Sequence, residues 1–190
     1  LSGLTLFYQV FKNMAKRIVS PAQESVRTAF KMAVAFLTPL KGVIKKGFAE
    51  KARRKKSVAS ALALGHVLHS AIKITNGKPQ VDPAEVMLSE GALAPIRVEQ
   101  IERSSDRIEV LHNWFPSDFS AGDDCLTLCA YQLEKGYAFV NQQIWHRQEG
   151  KIIVQLPKGF QDDGLYLYLM ASDRSGSKYS RSQYLGYSTK

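Results

Sequence analysis

The sequence predicts an α+β protein, with an N-terminal helical region packed with a C-terminal seven-stranded antiparallel β-sandwich. Three observations lead there. Apolar residues recur at helical intervals as far as Ile72, then alternate with polar ones from Ala94 onward. The charge divides in the same region: residues 1–78 hold 15 Lys or Arg against two acids, Glu24 and Glu50, whereas residues 79–190 hold 11 against 15. Between the two halves "TNGKPQVDP", residues 75–83, joins an Asn-Gly turn to two prolines that no helix interior tolerates. The expected organisation is a basic helical region over 1–78, a connecting segment over 79–93 and a sandwich over 94–190.

Leu1, Leu4, Tyr8, Phe11, Ala15 and Ile18 fall at helical intervals, with Lys12, Lys16 and Arg17 mostly off that line. This is an amphipathic helix in need of a partner, and a basic helix of this kind can also lie on a membrane surface. "SPAQ", residues 20–23, starts a second helix: Ser20 caps, Pro21 suits the first turn and Gln23 completes a capping box. Val26, Phe30, Val34 and Leu37 form its expected core side, and Thr38-Pro39 stops it. A short helix through Leu40, Val43, Ile44 and Phe48 leads into a basic run. "SVASALALGHVLHSAI" then makes a further helix, with Val58, Leu62, Leu68 and Ile72 inward and alanines that suit close packing. "EVMLSEGAL" reads as a short strand leading into the second domain.

The sandwich strands are "IRVEQI", "RIEVLHNWF", "CLTLCAYQL", "YAFVNQQIW", "KIIVQLP", "LYLYLMA" and "SQYLGYS", most of them separated by Gly, Asp, Ser or Pro. Their alternation places Val110, Trp114, Leu126, Leu128, Leu167 and Leu169 in one core. The only cysteines, Cys125 and Cys129, lie four residues apart on one strand face. Four strand residues span roughly 13 Å, and a disulfide needs Cα atoms within about 7 Å, so the two thiols stay unpaired with each other.

Trp114 at the end of "IEVLHNWFP", together with "LYLYLMASDRSGSKYSRS", resembles the second-strand Trp and the strand, turn and final-strand pattern of fibronectin type III-like modules. The whole chain resembles something narrower. "SPAQESVRTAFKMAVAFLTPLKGVIKKGF", "VDPAEVMLSEGAL", the Trp114 strand and "SRSQYLGY" are similar to a family of proteins of about this length and of unknown function, found chiefly in Bacteroidetes. That resemblance implies the same two-part architecture and brings no activity and no catalytic residues with it.

The run "KGVIKKGFAEKARRKK", residues 41–56, is the first candidate site. Lys41, Lys45, Lys46, Lys51, Arg53, Arg54, Lys55 and Lys56 stand against Glu50 alone, a strong local field for phosphates or for an anionic partner. Only Phe48 offers an aromatic platform, and no nucleic-acid-binding motif accompanies the run, so a solvated connector between helices accounts for it as well. The second candidate is aromatic. Tyr166 and Tyr168 alternate opposite the leucines of their strand and, with Trp145, make either a binding face or the seam beneath the helices.

Other chemistry finds little support. His66 and His69 have chelating spacing on a helix but no carboxylate or Cys near them in sequence. His112 faces the same way as Trp114, as a packed or rim histidine. Asp123-Asp124 and Asp162-Asp163 read as turn acids. Phosphate loops, dinucleotide fingerprints, nucleophile elbows and zinc-protease helices are missing. The expectation is a non-catalytic structural or protein-interaction module with no cofactor or metal. The alternative is a nucleic-acid-associated protein using the basic run. No apolar stretch is long enough to span a bilayer, and neither a signal-peptide pattern nor a disulfide framework is present, which leans toward the cytoplasm.

Overall fold

The computed structural model describes residues 20–189. The helix expected over residues 1–18 lies outside them. Helix α1, Pro21–Leu37, begins with the reciprocal capping box: the Gln23 amide donates to Ser20 Oγ and the Ser20 amide to Gln23 Oε1, both at 3.3 Å. It ends where Thr38-Pro39 imposes a single 3₁₀ turn over Thr38–Leu40. The basic run is not a loop. It folds into two consecutive helices, α2 (Lys41–Gly47) and α3 (Ala49–Lys55), with Lys56 in the left-handed region at the end.

Helix α4 is shorter than expected, Ala59–His66 with a π turn over Val67–Ala71, and the chain then turns extended as β1 (Ile72–Thr75). Asn76 and Gly77, both at positive φ, fold β1 back on β2 (Lys78–Val81) as a hairpin. The inward line of α4 is Ala63, Val67 and Ala71, all fully buried, while Val58 is 66% and Leu68 36% exposed. Small side chains at four-residue intervals let the neighbouring elements approach more closely than leucines would.

Helix α1 is likewise rotated from expectation. Ala33, Phe36, Leu37 and the following Leu40 are buried, an i, i+3, i+4, i+7 line. Val26, Phe30 and Val34 face outward. They join Leu37 on the apolar side expected from the sequence, but the sheet receives the other stripe. Leu40, Ile44 and Phe48 then carry α2 into the same core.

The strands are β3 (Arg97–Arg103), β4 (Arg107–Asn113), β5 (Cys125–Gln132), β6 (Tyr137–Val140), β7 (Trp145–His146), β8 (Lys151–Gln155), β9 (Leu165–Ser172) and β10 (Gln183–Ser188). They form two antiparallel sheets, one ordered β3-β4-β8 and the other β10-β9-β5-β6, with β7 also on β5. The stretch "YAFVNQQIW" is divided between β6 and β7. At the break Asn141 substitutes its side chain for backbone: Oδ1 accepts from the Leu128 amide at 2.8 Å and Nδ2 donates to Leu126 O at 3.2 Å.

The centre of the larger sheet is buried on both sides. In the β5–β9 register Leu126, Leu128 and Ala130 oppose Ala171, Leu169 and Leu167, and all six belong to the core between the sheets. The alternate pairs Cys129↔Tyr168 and Tyr131↔Tyr166 point the other way, where Cys129, Tyr131 and Tyr168 are buried under the helices. Phe36 meets Tyr131 edge-on, ring centroids 5.0 Å apart, and the Tyr168 hydroxyl donates to Pro83 O at 2.8 Å. The molecule is three layers: helices, large sheet, small sheet.

The connecting segment forms no regular strand where "EVMLSEGAL" was expected to: Pro83–Glu85 is a 3₁₀ turn, and Leu93 alone makes a β-bridge, to Ser180. The segment is threaded between layers, with Val86, Met87, Leu88 and Ser89 buried. Ser182 Oγ accepts from the Leu88 amide at 2.8 Å, Ser89 Oγ donates to Ser180 O at 2.8 Å, and the Glu90 amide donates to Gly47 O at 3.1 Å. Two glycines permit this approach: a Cβ at Gly47 would collide with the Leu88 carbonyl, and one at Gly91 with the Tyr179 carbonyl.

Trp114 differs from expectation. Strand β4 keeps the expected facing, with Ile108, Val110 and His112 buried, but it ends at Asn113. Trp114 lies half-buried in the next turn, its ring over Gly122. Trp145, 8% exposed on β7, is the tryptophan of the inter-sheet core. We therefore predict that Trp145→Ala costs about 3–5 kcal/mol and Trp114→Ala clearly less, measured by urea unfolding. Equal losses would return Trp114 to the core.

Candidate functional site

Helices α2 and α3 turn their apolar residues inward and so push the cations outward. Lys41, Lys45, Lys46, Arg53, Arg54, Lys55 and Lys56 are all exposed, and among the described residues none has an acid within ion-pair distance. Lys51 is the exception: it is half-buried and pairs with Glu90 of the connecting segment, tying α3 to the threaded chain. The run is thus a helical surface with cations on its outer side rather than an irregular connector.

Beside this surface lies a feature that sequence reasoning assigned to the core. Val26, Phe30 and Val34 run along α1 at four-residue intervals and remain 69%, 48% and 40% exposed. The row leads into a groove of about 300 Å³ between α1, α2 and α4, lined by Val34, Leu37, Thr38, Lys41, Ile44, Ser60, Ala61 and Leu64. A second concavity of about 500 Å³ adjoins it, sharing Lys41, Ile44 and Ser60 and reaching Lys45 and Val58. The signal for this surface was in the sequence. Helix α1 carries two apolar stripes, and a single neighbouring sheet can cover only one.

A further concavity, of about 870 Å³, lies where α1 and the β1–β2 hairpin meet the β5–β6 end of the large sheet. Met32, Phe36, Tyr131 and Tyr166 supply its apolar wall, and Lys73, Asp82, Glu134 and Lys135 its polar one. Its charged groups are already engaged in part: Lys135 pairs with Asp163 at 2.6 Å, and Asp82 Oδ1 accepts from the Ala84 amide at 3.0 Å. Of the aromatic candidates, Tyr166 borders this cleft and stacks near Tyr187, ring centroids 4.8 Å apart, while Tyr168 is buried behind it. Trp145 is on the opposite face of the large sheet, so the three do not form one surface.

Both cysteine thiols are shifted away from the thiolate form. Burial pushes the Cys129 thiol up to about 12. Burial and the Asp123 and Asp124 carboxylates raise the Cys125 thiol, although His146 Nδ1 lies 3.9 Å from its sulfur. The cysteines are free, as strand geometry required. Asp124, expected as a turn acid, is buried in an ion pair with Arg147 (Nε–Oδ2 2.9 Å), and Arg147 also donates to the carbonyls of Ala94 and Pro95. This clamp fixes the entry of the chain into the sandwich. His66 Nε2 contacts Glu85 O at 3.0 Å, and among the described residues no three His, Cys, Asp or Glu side chains are placed to hold a metal ion. Among those residues no helix is long and apolar enough to cross a membrane.

The profile of a family of unknown function, DUF6266, matches residues 10–186. No curated protein matches the chain.

His112 carries a pH dependence. It is 3% exposed, with neither ring nitrogen in a well-formed hydrogen bond, and burial, reinforced by the Arg147 cation, lowers its pKa below the ordinary 6.5. The fold therefore prefers neutral imidazole. Between its folded and unfolded pKa values the unfolded chain binds more protons, so stability is complete above about pH 6.5 and falls as pH drops toward the lower folded value. Urea midpoints at stepped pH should show this loss, and His112→Phe should flatten it. An unchanged slope in the variant would assign the dependence to another group.

Proposed function

We propose that this chain, which belongs to the DUF6266 family, is a non-catalytic protein-interaction module, a fibronectin type III-like sandwich carrying a helical layer whose outer face takes a protein partner. The observation that carries this reading is the exposed row Val26, Phe30 and Val34 leading into the apolar groove beside it. Single exposed apolar residues are ordinary on protein surfaces, whereas a contiguous row opening into a concavity is characteristic of binding sites. The strand layout supports the fibronectin-like part: a three-stranded sheet, β3-β4-β8, and a five-stranded one, β10-β9-β5-β6 with the short β7 also on β5, face each other across one apolar core. Such sandwiches commonly present surfaces to partners without an active site, an argument by analogy of fold. The raised thiol pKa values favour the non-catalytic reading, because neither cysteine is tuned as a nucleophile.

The test is capture of partners from a native extract, treated with nuclease, by the full chain and by a Val26→Glu/Phe30→Glu variant. Both positions are exposed, so the variant should keep its stability within about 0.5 kcal/mol and lose the partner. Capture of the same proteins by both would contradict the reading.

A second reading has its own observation, the seven exposed cations of α2, α3 and the Lys56 cap, none of them with an acid within ion-pair distance among the described residues. If they bind nucleic acid, affinity for duplex DNA falls with salt at a log–log slope near −0.9 per phosphate contact, so about four contacts give roughly −3.6. Binding that is flat with salt, or that survives conversion of Arg53, Arg54, Lys55 and Lys56 to Glu, would remove it.

A further inference from the structure

We propose that the groove between α1, α2 and α4 seats an acidic amphipathic helix of a partner protein. The inference rests on the protein-binding reading above and adds the chemistry of the occupant. Shape comes first. The groove is concave and apolar, floored by Val34, Leu37, Ile44 and Leu64, and it is approached by the row Val26, Phe30 and Val34. Apolar knobs at i, i+3, i+4 and i+7 of a docking helix fill such a surface, as in helix-in-groove recognition generally. A flat bilayer would leave the concavity empty. A nucleic acid would meet aliphatic side chains and a single exposed ring, Phe30, where it needs stacking platforms.

Charge then selects among helices. Arg27 and Lys31 stand exposed on α1 beside the row, and Lys41 and Lys45 on α2 line the two adjoining concavities. None of the four has an acid within ion-pair distance among the described residues. The helical layer offers little negative charge of its own: Glu24 lies in the first turn of α1, and Glu50 is half-buried on α3. A helix with carboxylates flanking its apolar face would meet cations on both sides of the groove, whereas a basic helix would bring like charges together. Such complementarity acts on partner choice and on association rate.

The test uses the full chain and two designed peptides of about 18 residues, long enough to span roughly 27 Å as helices. Both carry the same leucine face, one with Glu flanks and one with Lys flanks. By fluorescence anisotropy at low salt, the Glu peptide should bind at least about tenfold tighter than the Lys peptide, and the ratio should shrink as salt screens the rim. Lys41→Glu/Lys45→Glu should reduce or invert the preference, and Val34→Glu should weaken both peptides. Equal binding of the two peptides would overturn the acidic partner while leaving a protein-binding face. Binding of neither would overturn both readings. A photo-reactive benzoylphenylalanine in place of Phe30 identifies the occupant directly. Cross-linking to the Glu peptide supports the proposal. Cross-linking instead to residues 1–19 of the same chain, or to a second copy, overturns it.

Discussion

The structure depends on one sheet whose central strands, β5 and β9, are buried on both faces. Strands β5 and β9 lie at the centre of the larger sheet, and their side chains alternate between two separate apolar cores. Each core is incomplete without this sheet. The small sheet has only Ile108, Val110, Ile152 and Val154 fully buried from its own strands, and the helices alone would leave Phe36, Leu40, Ile44 and Phe48 against water. Fully burying a side chain of this kind stabilises by about 1.5–3 kcal/mol, so losing either partner layer strands several such contributions at once. The helical layer and the sandwich are accordingly one packing problem, although their compositions differ as two domains would.

The polar groups at the joins follow from that constraint. A chain threaded between layers must find partners for its backbone, and residues 86–93 find them in Ser182, Gly47 and Tyr179, while the Ser89 hydroxyl adds a bond to Ser180 O. Arg147 and Asp124 perform the same service where the sandwich begins, satisfying the Ala94 and Pro95 carbonyls with a buried ion pair. Such pairs contribute little net stability by themselves, but removing one member typically costs about 3–5 kcal/mol, because the other is left buried and unpaired. The Arg147–Asp124 pair thus fixes where the connecting segment enters the sandwich.

How far this was legible in the sequence depends on whether local pattern or tertiary context decided the outcome. Ser20-Pro21 and Gln23, the Asn76-Gly77 turn and the strict alternation of "LYLYLMA" act locally, and they led to the right cap, turn and facing. The orientation of α1 does not act locally. Val26, Phe30 and Val34 are as apolar as Ala33, Phe36 and Leu37, and only the sheet that receives the helix distinguishes the stripes. The end of α4 is similar: "HSAIKIT" continues an apolar period, but pairing with β2 draws Ile72–Thr75 into a strand. Trp114 misled because β4 ends one residue earlier than the alternation does. The candidate site was hidden for the same reason as α1, since its exposed row had been assigned to the core, while the cations beside it were visible from the start.

The account makes the doubly buried strands β5 and β9 the source of cooperativity, and unfolding measures that directly. Both tryptophans, Trp114 and Trp145, lie in the sandwich, whereas among the described residues the α-helices α1 to α4 all lie in the helical layer. Urea unfolding followed in parallel by tryptophan fluorescence and by far-ultraviolet circular dichroism therefore reports on the two parts separately. One shared transition, with the same midpoint and slope by both probes, is the predicted result. Loss of helical signal at a lower urea concentration, with tryptophan fluorescence still native, would show that the sandwich stands without its helical layer and would contradict the account.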